Sequence, residues 1–225
     1  MRTIFYLVIA LIVITLAGVL AFGQENRLAQ RPLQQIDRVQ ARTRASSTAG
    51  AIGVENVNSY FIGYDFEAAA HLVAAGKTRE ALAQLAFLWD ELSGQPESQQ
   101  IESVMRMVIR GEGTSRQAVQ KLELAQTGVE AKLRGDRRWY YDVGKTYSEM
   151  FITASNMLDT PDLRTFRQKL VSLGTLAKTA PAGTPAEFVS ALAKLGEFGI
   201  KQTMSEQDIN AMASLWETID NTISA

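Results

Sequence analysis

From Tyr60 to Ile223 the apolar residues recur at three- and four-residue steps, and no stretch sustains the two-residue alternation of a strand. That period commits the chain to helices with one buried face. Eight segments follow it: Tyr60–Ala75, Arg79–Leu92, Glu97–Arg110, Arg116–Leu133, Arg137–Leu158, Pro161–Lys178, Pro185–Phe198 and Glu206–Ile223. Thr78, Ser115, Asp136, Thr160, Thr184 and Ser205 stand at their starts, where a side-chain oxygen can accept from the free N–H groups of a first turn. Thr160-Pro161 and Thr184-Pro185 add proline where a helix needs no donor, and Thr184 with Glu187 has capping-box spacing. The expected fold is all-α, with about eight helices as stacked antiparallel hairpins or an irregular helical bundle.

Two stretches repeat a pattern. GKTREALAQL from Gly76 and GTSRQAVQKL from Gly113, offset by 37 residues, share a glycine, a hydroxyl, an arginine, an alanine and a closing leucine. The glycine suits a left-handed helix end, and the alanine lets helices approach closely. A third stretch, DRRWYYDVGKTY from Asp136, places Tyr140, Val143, Gly144, Tyr147, Phe151, Ala154 and Leu158 along one helical stripe. Its aromatics are expected to pack on a neighbouring helix, with the arginines facing water. The order Tyr140, Val143-Gly144, Tyr147 resembles the first helix of a tetratricopeptide repeat, and the Gly76–Ala81 and Gly113–Ala118 spacings resemble its middle. The resemblance implies stacked helical hairpins that present a surface to a partner protein or peptide. It departs from that family in its 37-residue offset, against about 34, in Ala69 and Leu72 where a glycine and a tyrosine belong, and in lacking the closing proline.

Ahead of the helices, Arg2 precedes an uncharged apolar run from Thr3 to Gly23. Ala21-Phe22-Gly23 before Gln24 has the small residues of a signal-peptide cut, yet the run is long enough to span a bilayer as an anchor. Residues 1–23 are therefore read as a signal peptide or a membrane anchor. The protein is exported, periplasmic or extracellular, or else a membrane-anchored chain facing the cytoplasm, the orientation that Arg27, Arg31 and Arg38 favour if the segment stays. Residues 24–58, rich in Gln and Arg, read as a linker, with contact between its arginines and anionic headgroups as the sharper alternative. Residues 59–225 form the helical domain.

The chemistry-bearing residues are few. The chain has no cysteine, one histidine and a formal net charge of −1, which removes thiolate chemistry and gives no electrostatic footprint for nucleic acid. His71 follows Glu67 by four residues on one helix face, but a metal would need further ligands from elsewhere. Met105 and Met107 could suggest copper, although residues two apart on a helix point to different sides. Glu67, Asp90, Glu91 and Glu149 lie on helices that could share a groove, and the chain carries no nucleophile elbow, zinc-protease motif or phosphate loop. No residue is assigned to catalysis, a cofactor or a metal. Two functions remain: a non-enzymatic scaffold for protein–protein interaction in the cell envelope, or an envelope carrier holding an apolar or lipid-like ligand in a helical cavity.

Overall fold

The computed structural model describes residues 52–156, 163–201 and 205–224. The apolar run in residues 1–23, nearly all of the linker at 24–58 and the Thr160 cap lie outside the described residues. Among the described residues all regular structure is helical: α1 Val54–Ala74, α2 Thr78–Glu91, α3 Pro96–Arg110, α4 Ser115–Lys132, α5 Gly135–Asn156, α6 Leu163–Ala177, α7 Ala186–Ile200 and α8 Glu206–Ser224. None of these is long and apolar enough to cross a membrane.

Helix starts differ in detail from the sequence reading. α1 begins six residues before Tyr60, behind Gly53 at φ 79°. Its polar first turns read as linker, but Asn56 Nδ2 donates to Ile52 O at 3.0 Å and Ser59 Oγ to Glu55 O at 2.8 Å, so those groups satisfy one another within the helix. The cap of α4 is Thr114, not Ser115. Its Oγ1 accepts the Gln117 N–H at 3.2 Å, and its own N–H donates to Gln117 Oε1 at 2.9 Å. Thr78 is already the first helical residue, with Lys77 in the cap position. Asp136 lies inside α5, and Pro185 flanks α7. Ser205 caps α8, accepting the Asp208 N–H at 3.2 Å while its N–H donates to Asp208 Oδ2 at 2.9 Å.

The described residues fall into two compact units. The first holds Ile52–Ile152 with Thr179–Gly183. Within it α1 packs on α2, α2 on α3, α3 on α4, and α4 returns to α1, a cycle that encloses Phe66, Ala69, Leu85, Leu88, Ile101, Val104, Leu122 and Ala125. The two similar stretches hold corresponding places: Gly76 (φ 68°) and Gly113 (φ 77°) turn the chain into α2 and α4, and Ala81 and Ala118 then face the core.

α1 departs from the one-sided pattern. Every residue from Ser59 to Phe66 is buried, because α2, α4 and α5 each cover part of it. The buried Asp65 carboxylate is met by Gln84 Nε2 from α2, as a polar group there requires. α5 crosses α1 through a pair of glycines. A Cβ on Gly144 would overlap the Tyr60 carbonyl oxygen and lie 2.8 Å from its carbon, and one on Gly63 would overlap the Tyr141 carbonyl oxygen. Backbone therefore lies on backbone, and the rings wrap the crossing. Tyr140, Tyr141 and Tyr147 are buried, Tyr147 stands edge-on to Phe151 at 4.9 Å, and Trp139 edge-on to Tyr140 at 4.9 Å.

The second unit contains Thr153–Lys178 and the chain from Thr184 onward. α6 buries Phe166, Leu170, Leu173 and Ala177, a stripe that recurs every three to four residues. α7 runs antiparallel to it, with Gly196 against Gly174 and Gly199 against Arg167 and Val171. α8 packs on α7 and contributes Met212, Ile219 and Ile223 to the buried set.

Candidate functional site

The densest group of half-buried charges lies in the first unit, where α1, α4 and α5 meet. Glu130 of α4 is its centre. Its Oε1 accepts from Lys145 Nζ at 2.9 Å and from Tyr141 Oη at 3.1 Å, and its Oε2 lies 3.6 Å from Arg138 Nη2. Arg138 also donates through Nε to Asp142 Oδ2 at 3.0 Å and through Nη1 to the Glu130 carbonyl at 3.2 Å. α1 supplies Glu67, which accepts from Gln126 Nε2 at 2.8 Å and lies 3.8 Å from Lys145 Nζ. Helical spacing explains the set. Gln126 and Glu130 are four apart on α4, and Arg138, Tyr141, Asp142 and Lys145 recur at three and four on α5, so each helix presents one edge to the junction.

The electrostatics fix the protonation state of each of these groups. Burial pushes the Tyr141 hydroxyl far above its usual range, with the Glu130 charge adding to the shift, so the phenol keeps its proton and donates it. Burial alone would lower Lys145, but its hydrogen bond to Glu130 and the charges of Glu130, Glu67 and Glu149 outweigh it and raise the ammonium. Burial likewise opposes ionisation of Glu130, and Lys145, Tyr141 and Arg138 more than compensate, leaving its carboxyl below the ordinary value near 4.5. A lysine held protonated between carboxylates is neither nucleophile nor base at neutral pH.

A second carboxylate behaves alike on the α3–α4 side. Glu97, in the first turn of α3, meets Lys132 Nζ at 2.5 Å and lies against Gly128. Its burial is outweighed by that bond, so it too titrates below its ordinary value. Depressed carboxyl groups stabilise the fold above their unfolded values, and the contribution disappears as pH falls through the folded ones. The melting temperature is therefore expected to drop as pH falls below about 4.5. Glu130→Gln is expected to flatten that acid limb in a thermal melt followed from pH 6 to 3, and an acid limb identical to wild type would contradict it.

The residues singled out from sequence are dispersed. Glu67 and Glu149 both act on Lys145, whereas Asp90 and Glu91 close α2, two turns beyond the Gln84 that meets α1. His71 is half-buried in the last turn of α1. Among the described residues no three of His, Asp and Glu are grouped to hold a metal ion. Met105 and Met107 are partly buried against the core. Arg137 is exposed, but Arg138, expected to face water, is held by Glu130 and Asp142. Glu130, Gln126, Lys145 and Gly63 escaped the sequence reading, because each finds its partner on another helix.

Beside this junction an open groove of about 450 Å³ runs between the last turn of α1 and the first half of α4. Ala74 and Val119 form its apolar part, with Ser115, Arg116, Gln120 and Glu123 around them. A smaller pocket of about 170 Å³ lies among the turns that begin α2 and α4. No protein-family model matches the chain, and neither a curated protein nor a solved structure matches it.

Proposed function

We propose that the chain is a non-enzymatic helical scaffold that binds a partner protein or peptide in the cell envelope, exported or tethered through residues 1–23. The observation that carries this reading is the contrast between a filled interior and an open groove. In the Ile52–Ile152 unit the core is close-packed, down to backbone contact at Gly63 and Gly144, and the charged junction satisfies itself. The α1–α4 groove instead sets Ala74 and Val119 among polar and charged side chains, a mixed surface of the kind that a protein partner covers. Among the described residues both hollows are open to solvent and lined in part by polar and charged side chains, which favours the scaffold over a carrier that encloses a lipid-like molecule. The likeness to tetratricopeptide hairpins belongs to this proposal and agrees with it.

The test uses the full chain in its native membranes with a photo-crosslinking residue at Val119 and, as a control, at the exposed Thr127 of the same helix. One discrete protein adduct is expected from position 119 and none from 127. Arg116→Glu, on the rim, is expected to weaken that adduct without shifting the melting temperature. Equal labelling at both positions contradicts the groove, and a stoichiometric apolar molecule extracted from the purified chain would support the carrier instead.

The location is tested separately. The uncharged run from Thr3 to Phe22 is expected to direct the chain to the membrane, so its deletion should leave the protein in the soluble cytoplasmic fraction. Full-length protein already found there, unprocessed, would refute the assignment.

A further inference from the structure

We draw no further inference here: the strongest candidate, the pocket among the turns that begin α2 and α4, lined by Gly76, Thr78, Gly113 and Ser115, rests on two helix N-termini with no second observation that points to a ligand.

Discussion

Gly144→Ala is expected to lower the stability of the first unit by about 3 kcal/mol, the upper end of the usual cost of overpacking. A single methyl group suffices because its neighbour is main chain. The added Cβ would overlap the Tyr60 carbonyl oxygen and lie 3.1 Å from the Tyr60 Cα. A flexible side chain could swing away, but α1 can yield only by moving as a helix. That movement would pull the Gly63 contact apart and disturb the rings of Tyr60 and Tyr64 around Tyr147. For a unit of roughly a hundred residues this corresponds to a fall of roughly 10–20 °C in melting temperature. Gly144→Leu should be worse. Gln120→Ala, at an exposed position of α4, serves as the control in the same thermal melts. An unchanged melting temperature for Gly144→Ala would mean that α5 does not lie on α1 as described.

Lys145→Ala is expected to cost about 2 kcal/mol, between the value of an exposed ion pair and that of a fully buried one. The Lys145 side chain is 30% exposed, so water screens part of the interaction. Its removal nonetheless leaves Glu130 and Glu67 facing one another across the junction without their shared cation. Most of the loss therefore comes from the carboxylates left behind, not from the bond removed. The double variant Glu130→Gln with Lys145→Ala separates these contributions. It is expected to be more stable than Lys145→Ala alone in denaturant titration, since it removes one of the two stranded charges and keeps a group able to accept from Tyr141. A double variant less stable than the single one would show that the Glu130 carboxylate stabilises the junction through Tyr141 and Arg138 even without the lysine.

The sequence made the helices readable wherever a helix buries a single face. α6 shows this most plainly, since Phe166, Leu170, Leu173 and Ala177 recur at helical spacing and all are buried. The same logic placed the Asp136–Tyr147 aromatics in the interior. It failed at the start of α1, where polar first turns satisfy their own side chains, and it did not foresee that residues 59–66 lose their polar face because three neighbours cover them. It also misplaced the caps of α2 and α4 by one residue, since Lys77-Thr78 and Thr114-Ser115 both offer a hydroxyl near the turn and the glycine geometry decides which residue becomes helical.

Local periodicity and turn chemistry alone thus determined the all-α class, the positions of most helices, the Ser205 cap, and the glycines that turn the chain before α2 and α4. These depend on interactions spanning a few residues, and so they are written in neighbouring letters. Which helices touch was decided only by the tertiary structure. Gly63 meets α5 some eighty residues later, Glu130 gathers Lys145, Tyr141 and Arg138 from the next helix, Glu67 joins them from α1, and the groove exists only because α4 returns to α1. No spacing rule encodes such pairs, because a carboxylate or a glycine looks the same in sequence whether its partner is solvent or another helix; packing selects the partner and thereby gives the residue its role.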